Sequence, residues 1–247
     1  TVTVSDDKGS PITLDTLEQW AMEEPGLGLM APFTAESMTA RVSGTSKSIT
    51  VYGTTPDYYD IQGLQLAEGR WLKTSDMDNS TYACVINETA AEKLIGYTDC
   101  VGQALTLNNV KYTIVGVLQD DDNNLTSVFS SGSLVAYLSY NALLRLSTTM
   151  TADVTSFYVG AAAGGTVDQA EETMTRLLME RLDQDEDAFS VSSQDALEST
   201  MSSITSMLTV MLGGIAAISL IVGGIGIMNI MMVTVTERTR EIGIRKA

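Results

Sequence analysis

The feature that most constrains this chain is a long apolar run near its carboxyl end. From Leu208 to Val235 there is no Asp, Glu, Lys or Arg, and no formal charge occurs anywhere between Glu198 and Glu237. About 20 apolar helical residues span a bilayer core of about 30 Å, and a run as long as this one reaches about 42 Å. A helix of that length, apolar on every face, needs a far larger protein than 247 residues to bury it. The run therefore predicts a transmembrane helix over residues 208–235.

Basic residues lie on one side of this run. No Lys or Arg occurs between Arg181 and Arg238, and four then follow within nine residues. The positive-inside rule predicts a cytoplasmic carboxyl end, with residues 1 to about 207 extracytoplasmic. Because the sequence opens without Met on the strand-like TVTV, we also expect a further span upstream.

Composition argues against several kinds of chemistry. The chain has no His, which excludes His-dependent triads, dyads and metal sites, and two Cys cannot complete a four-ligand zinc site. No G-x-x-x-x-G-K-[ST] phosphate loop occurs, so this sequence does not hydrolyse ATP itself. The net charge of −17 at pH 7 argues against nucleic acid as a partner. We predict no catalytic residue and no cofactor.

Two acidic runs, residues 120–124 and 183–187, resemble the start of calcium-binding loops. Their sixth positions are Leu125 and Ala188, where such a loop requires Gly. We therefore interpret both runs as solvated acidic loops and predict no metal site.

Residues 1–192 alternate short helices with short strands, which predicts the α+β class. The residues expected to cap helices are Thr13, Asn87, Ser139 and Thr166. The helices expected from these caps cover residues 14–22, 88–95, 140–146 and 167–182. Strands are expected at residues 37–42, 48–54, 83–86, 104–107, 111–118, 134–138, 154–160 and 189–191.

The order of these elements predicts a discontinuous domain. The β-α-β groups at the two ends, residues 1–54 and 151–192, flank a strand-rich inserted part, residues 55–150. After Ser193 no Pro interrupts the sequence, so we expect one continuous helix from Gln194 to Val235. Its first part, residues 193–207, would form a stalk outside the membrane.

Cys84 and Cys100 would lie in an oxidising space if residues 1–207 are extracytoplasmic. The sequence leaves two alternatives open, a disulfide or two buried free thiols, because it does not reveal the distance between the two Cα atoms. In either case we expect the two residues close together beside the helix over residues 88–95.

Small residues recur at helical spacing inside the apolar run. Pairs of small residues four positions apart allow two membrane helices to approach closely. The alternative is the ordinary glycine content of membrane helices. The candidate helix-packing residues are Gly213, Ala217, Ser219, Gly223, Gly224 and Gly226.

The segment after the run, residues 236–247, alternates in charge around two Ile residues. Its charged residues are Glu237, Arg238, Arg240, Glu241, Arg245 and Lys246. Such a segment suits a helix at the membrane surface that docks on an acidic or mixed partner. The alternative is that these charges only anchor the helix end on the cytoplasmic side.

Four stretches carry a resemblance to a known family. GIGIMNIMMVTVTERTREIGIRKA, residues 224–247, resembles the second transmembrane helix and following cytoplasmic segment of MacB-like ABC transporter permeases, of the FtsX-type superfamily. Three further stretches resemble the family's extracytoplasmic domain in order and spacing. They are VYGTTPDYYDIQGLQLAEGRWL (51–72), VINETAAEKLIG (85–96) and VGQALTLNNVKYTIVGVL (101–118).

This resemblance implies a permease half with four transmembrane helices in the bacterial cytoplasmic membrane. The sequence would hold the large loop after the first helix, followed by the second helix. The loop would form a porter-like part with an inserted strand-rich, sabre-like part, and residues 236–247 would lead to the coupling contact.

The implied partners are an ATP-binding subunit or domain, a second permease copy or paired permease, and an adaptor protein of the membrane-fusion type. The implied function is ATP-driven motion, transmitted through the helix, that exports or extracts a peptide, macrolide or lipoprotein, as in antimicrobial efflux. The alternative is a single-pass membrane sensor or adaptor with a ligand-binding ectodomain.

Overall fold

A computed structural model describes residues 1–5, 11–78, 81–120, 132–182 and 186–246. The chain divides into two compact units, Thr1–Ser193 and Gln194–Ala247. The strands are β1 (Val2–Val4), β2 (Leu27–Pro32), β3 (Thr34–Val42), β4 (Thr45–Thr54), β5 (Leu66–Gly69), β6 (Ala83–Asn87), β7 (Ala104–Leu107), β8 (Val110–Leu118), β9 (Val135–Ser139), β10 (Ser156–Ala161) and β11 (Phe189–Val191). The helices are α1 (Leu14–Glu23), α2 (Tyr58–Gln62), α3 (Thr74–Asp78), α4 (Glu88–Leu94), α5 (Tyr140–Leu146), α6 (Val167–Arg181) and α7 (Gln194–Lys246).

Strands from both ends of the first unit form one antiparallel sheet, in the order β11-β1-β10-β2. Helices α1 and α6 bury apolar side chains in the same core as this sheet. Trp20 of α1 and Met174 of α6 lie in this core together with Phe157 of β10. Both helices begin with a capping box, at Thr13 and Thr166, where the hydroxyl and the third helical residue satisfy each other's backbone N–H groups. The sequence therefore positions the two helices locally, and their apolar faces join them to the sheet.

The second sheet has the order β5-β8-β6-β9-β4-β3-β7, and β7 also pairs with β8. This additional pairing closes β8, β6, β9, β4, β3 and β7 into a barrel, with β5 attached to one end of β8. Two of its pairings are parallel, β4 with β9 and β6 with β8. Side chains from α4 and α5 contribute to the same apolar core as the barrel strands.

The predicted domain boundary at residue 54 does not match the way the strands divide between the two sheets. β3 and β4 were expected with the end domain, yet they belong to the barrel, and the chain passes between the sheets at Phe33. The physical reason is their alternation, because Met38, Ile49 and Val51 point inward and are buried in the barrel core. The pairing of β4 with β9 spans more than eighty residues, and local sequence patterns do not show such a partner.

Most of the expected elements are confirmed to within a few residues. The turn at Asn108 and Asn109, with φ of 43° and 70°, joins β7 to β8 as the hairpin pattern predicted. Strand β2 was missed because its last residues are buried on both faces, with Met30 in one core and Ala31 in another, so these residues show no alternation of apolar and polar side chains. Elements α2, β5 and α3 were also missed, since Pro56 and Gly69 interrupt the pattern there.

A cluster of aromatic rings joins the two sheets of the first unit. Phe33 stacks on Tyr52 of β4 with ring centroids 4.6 Å apart, and meets Tyr158 of β10 edge-on at 5.1 Å. Tyr58 of α2 contacts Tyr158 at 5.5 Å and Tyr137 of β9 at 6.0 Å. The cluster fixes one outer side of the barrel against the four-stranded sheet.

The second unit is the single helix α7, 53 residues long. At 1.5 Å per residue it reaches about 80 Å. The expected continuous helix from Gln194 to Val235 is confirmed, and the helix continues to Lys246.

Candidate functional site

Helix α7 is long and apolar enough, by length and composition, to cross a membrane. The candidate span runs from Thr200 to Arg245, with a mean hydropathy of 2.3 in its most apolar window, and none of that window is buried in the chain. Large side chains point outward on every side, such as Leu220, which is 76% exposed, and Ile230, which is 70% exposed. An apolar helix with no buried face requires lipid or other helices around it.

Three hydroxyl side chains within the apolar run bond to their own helix. The hydroxyls of Thr209, Ser219 and Thr234 each donate to the backbone carbonyl four residues earlier, at 2.8–2.9 Å. Such bonds leave no unsatisfied hydroxyl donor facing hydrocarbon. The span therefore tolerates these residues without a polar partner.

The small residues form two rows on α7. With 3.6 residues per turn, Gly213, Ala217 and Gly224 lie on one face, and the remaining three lie about 130° away around the axis. A Cβ atom added at Gly213 or Gly224 would meet nothing within 4 Å apart from the helix's own adjoining backbone. No contact with the rest of the described chain therefore explains the small size of these residues. The second row is Ser219, Gly223 and Gly226.

The charged residues of the segment 236–247 lie on the last turns of α7. Arg238 donates to Glu241 at 3.3 Å, and both side chains are largely exposed, so this pair contributes at most about 0.5 kcal/mol. Glu237, Arg240 and Arg245 are also exposed. The side chain of Lys246 lies outside the described part of the structure. The charges that the structure describes at the end of α7 are thus exposed.

Cys84 and Cys100 are both buried free thiols in the barrel core. Both belong to one apolar cluster that includes Leu94 of α4, and the close approach of the two residues stays a prediction. Burial, with an added effect of Cys100, raises the pKa of Cys84. Burial, with added effects of nearby carboxylates, raises the pKa of Cys100 to about 11. Of the two alternatives, the structure contains the free thiols.

The two acidic runs lie mostly outside the described residues. Asp120 is described, and its carboxylate accepts hydrogen bonds from the Asn87 amide and from the Thr89 N–H, both at 2.8 Å. It therefore anchors the end of β8 to the start of α4. Among the residues the structure describes, no group of three or more His, Cys, Asp or Glu is placed to hold a metal ion.

A polar groove on the outside of the barrel was not predicted from the sequence. It has a volume of about 270 Å³ and is lined by Thr39, Arg41, Thr106, Asn108 and Asn109. These residues come from β3, β7 and the turn after β7, so only the pairing of β3 with β7 brings them together. The sequence does show polar residues at alternate positions of β3, but this pattern by itself indicates only a strand face that is exposed to solvent.

Comparison with known proteins identifies the family. The profile of the family described as MacB-like periplasmic core domain matches residues 1–177. This chain belongs to that family. The resemblance stated from the sequence and the predicted α+β class are both confirmed.

The MacB-like relatives include much longer proteins. The chain is 31% identical over 216 residues to "Macrolide export ATP-binding/permease protein MacB" of Neisseria meningitidis serogroup A, covering 87% of this chain and 33% of that protein. It is 30% identical over 222 residues to "Uncharacterized ABC transporter permease YknZ" of Bacillus subtilis, covering 90% of this chain and 54% of that protein. The chain thus spans about a third of the MacB relative and about half of YknZ.

Two solved structures share the fold. The periplasmic region of MacB from Actinobacillus actinomycetemcomitans matches with a TM-score of 0.67 and 21% identity, covering 81% of this chain and 91% of that one. The extracellular domain of the ABC-type transporter YknZ from Gram-positive bacteria matches with a TM-score of 0.61 and 21% identity, covering 78% of this chain and 98% of that one.

Proposed function

We propose that this chain is part of the permease of a MacB-like ABC transporter, in which α7 carries ATP-driven motion between a cytoplasmic partner and an extracytoplasmic domain. The observation that carries the proposal is the single unbroken helix from Gln194 to Lys246, which is free of charged residues from Leu208 to Val235 and charged at its end. A helix without a break transmits displacement from one end to the other. ATP hydrolysis belongs to an ATP-binding subunit or fused domain, as the name of the MacB relative indicates for that protein.

The proposed arrangement places residues 1–192 and the stalk, residues 193–207, outside the cytoplasmic membrane, residues 208–235 in the bilayer and residues 236–247 in the cytoplasm. It rests on the basic end of α7 and on the relatives whose solved domains are named periplasmic and extracellular. The test is labelling of spheroplasts with a membrane-impermeant maleimide. Thr45→Cys should react in intact spheroplasts, and Thr239→Cys only after permeabilisation. The reverse pattern would overturn the orientation.

The coupling role is assigned to the charged end of α7. Arg240→Glu combined with Arg245→Glu should weaken docking of the ATP-binding partner and abolish stimulated ATPase activity and export. The matched control, Arg240→Lys with Arg245→Lys, keeps both charges and should retain activity. Equal activity of the two double variants would contradict the coupling role.

The stiffness of the stalk is tested separately. Pro at Ser203 and at Ile204 breaks the helix interior, at a cost of about 3 kcal/mol per Pro. We expect the complex to assemble and hydrolyse ATP while export is lost. The control, Ser203→Ala with Ile204→Leu, keeps the helix and should export normally. If the full-length protein brings down no ATP-binding partner and the Pro variant behaves normally, a single-pass sensor or adaptor replaces this proposal.

The two rows of small residues support packing of α7 against other membrane helices, from a second permease copy or a paired permease. An adaptor protein and a substrate of the peptide, macrolide or lipoprotein class complete the proposed system. Gly213→Leu with Gly224→Leu should reduce cysteine cross-linking between neighbouring spans. Gly243→Leu, outside both rows, serves as the control.

A further inference from the structure

The outer side of the barrel carries a row of residues across four strands. Arg41 of β3 lies opposite Ser46 of β4 and opposite Thr106 of β7, and Thr106 lies opposite Lys111 of β8. Residues directly opposite each other in a sheet project from the same face. Arg41 and Lys111 are both exposed and, two strands apart, have backbones separated by about 10 Å.

Neutral hydrogen-bonding groups surround these two cations. In the next row Thr39 lies opposite Ser48, and the Ser48 hydroxyl lies 3.1 Å from that of Ser37. The Asn108 side-chain carbonyl accepts from the Thr39 N–H at 3.3 Å. Together with the polar groove beside Arg41, these groups form one continuous polar surface. We call this surface, the outward side chains of β3, β7 and the adjoining parts of β4 and β8, the basic face.

The charge of the basic face is opposite to that of the chain. Asp and Glu outnumber Lys and Arg by 31 to 14 in the whole sequence. The outward side chains of the four strands nevertheless include Arg41 and Lys111, and the one acidic residue of these strands is Glu36. Glu36 is turned to other partners, because its carboxylate accepts from the hydroxyls of Ser147 and Thr149. The basic face therefore presents cations with no carboxylate among them.

Two ordinary explanations do not account for these cations. Lysine often protects an open sheet edge, but β3, β4 and β8 are paired on both sides. Nor do the cations neutralise an acid among the described residues of the neighbouring strands, since the rows around them contain only hydroxyl, amide and methyl groups. The opposite outer side of the barrel is covered by the aromatic cluster, whereas none of the residues that the structure describes in the first unit covers the basic face.

We infer that the basic face docks an acidic, extended segment of a protein partner. Charge complementarity identifies the occupant, because two well-separated single cations suit separate carboxylates, whereas a phosphate group is held by several donors converging on one point. Carboxylates on alternate residues of an extended chain lie about 7 Å apart, within reach of the long Arg41 and Lys111 side chains. The hydroxyl and amide groups between them supply hydrogen bonds to backbone. The inference is independent of the coupling role proposed for α7.

The test uses the full chain in an uncharged detergent and a fluorescein-labelled twelve-residue peptide of alternating Glu and Thr. Fluorescence anisotropy at low salt should show binding that weakens steeply at 300 mM salt, while the same peptide with Gln for Glu should not bind. Arg41→Glu with Lys111→Glu should lower the affinity at least tenfold. The matched control, Lys73→Glu with Arg145→Glu, changes the net charge equally outside the basic face and should stay within twofold of wild type.

Further measurements separate docking from misfolding and from other occupants. Arg41→Gln with Lys111→Gln should give an intermediate affinity, and all variants should show the wild-type far-ultraviolet circular dichroism and melting temperature. The inference is overturned if wild type does not bind the Glu peptide, or if the control loses affinity equally. It is also overturned if vesicles of phosphatidylglycerol bind at the basic face in place of the peptide, or if sedimentation shows that a second copy of this chain occupies it.

Discussion

At the scale of single residues, Asp76 is a buried carboxylate that is held by an ion pair and by several hydrogen bonds. Its carboxylate accepts hydrogen bonds from Arg70 at 2.7 and 3.2 Å, from the Lys73 N–H at 2.9 Å and from the Thr81 hydroxyl at 2.8 Å. Burial acts to raise the pKa of Asp76, but these hydrogen bonds and the Arg70 charge outweigh it and hold the pKa below its usual value. The carboxylate therefore ties α3 to the segment after β5.

Asp76→Asn should lower the free energy of unfolding by about 2 kcal/mol at pH 7, because it removes the ion pair and leaves Arg70 less well satisfied. Because the pKa of Asp76 is lower in the folded chain than in the unfolded chain, where it is about 3.9, the ionised carboxylate stabilises the fold at pH values above about 3.9. This stabilisation is lost as the pH falls through the folded-state pKa. The difference from wild type in denaturant unfolding should accordingly shrink between pH 7 and pH 2. Asp60→Asn, at an exposed position of α2, should change little at either pH. A pH-independent difference for Asp76→Asn would contradict this account.

The thiols of Cys84 and Cys100 permit a second prediction at this scale. Because burial raises the pKa of both, neither is a thiolate at neutral pH, and neither is accessible. Without reductant, iodoacetamide should add to neither residue in the folded chain and to both after unfolding in urea. Mass spectrometry counts the adducts. A chain that gains no adduct in urea until a reductant is added contains a disulfide.

At the scale of elements, Asn87 holds three elements together. Its side-chain carbonyl accepts from the N–H of Ala90, which caps α4, at 3.1 Å and from the N–H of Val135, which starts β9, at 3.0 Å. Its amide donates to Asp120, which follows β8, at 2.8 Å. One side chain thus acts as a helix cap and as a link between two strands.

Asn87→Ala should cost about 2–3 kcal/mol of unfolding free energy, since it removes the cap, leaves the N–H groups of Ala90 and Val135 without this acceptor and removes one of the hydrogen bonds to Asp120. Ser139→Ala, which removes the cap of α5 at 3.4 Å, should cost only about 1 kcal/mol. Chemical denaturation of the two variants provides the comparison. Equal losses would show that Asn87 acts as a cap alone.

At the scale of the molecule, the first unit depends on the aromatic cluster that joins its two sheets. Tyr58 is 3% exposed, and burial raises the pKa of its phenol. Tyr58→Ala should lower the free energy of unfolding by about 3–5 kcal/mol, because it opens a cavity among rings from both sheets. Tyr58→Phe keeps the ring and should cost less than about 1 kcal/mol. Tyr82→Ala, at a position that is 63% exposed, is the control in the same denaturant titration. If Tyr82→Ala lowered the free energy of unfolding as much as Tyr58→Ala, the role of the cluster would be contradicted.

The sequence by itself determined the features that depend on neighbouring residues. The charge-free run from Leu208 to Val235 predicts α7 because no soluble protein of this size could bury it. The caps at Thr13, Asn87 and Thr166 predict helix starts because a capping side chain bonds to backbone only two or three residues away. The turn at residues 108–109 is equally local. These interactions are complete within a few residues of chain.

Only the tertiary structure decided which distant segments pair. The parallel pairing of β4 with β9, the closure of the barrel by β7 and the assignment of β3 and β4 to the barrel all depend on partners far along the chain. Alternation shows that one face of a strand is buried, but not which strand lies beside it. For the same reason Arg41 and Lys111 become one surface only when β7 is placed between them. The end of strand β2 is buried on both faces and shows no alternation, because its position between two cores is itself a product of the tertiary fold.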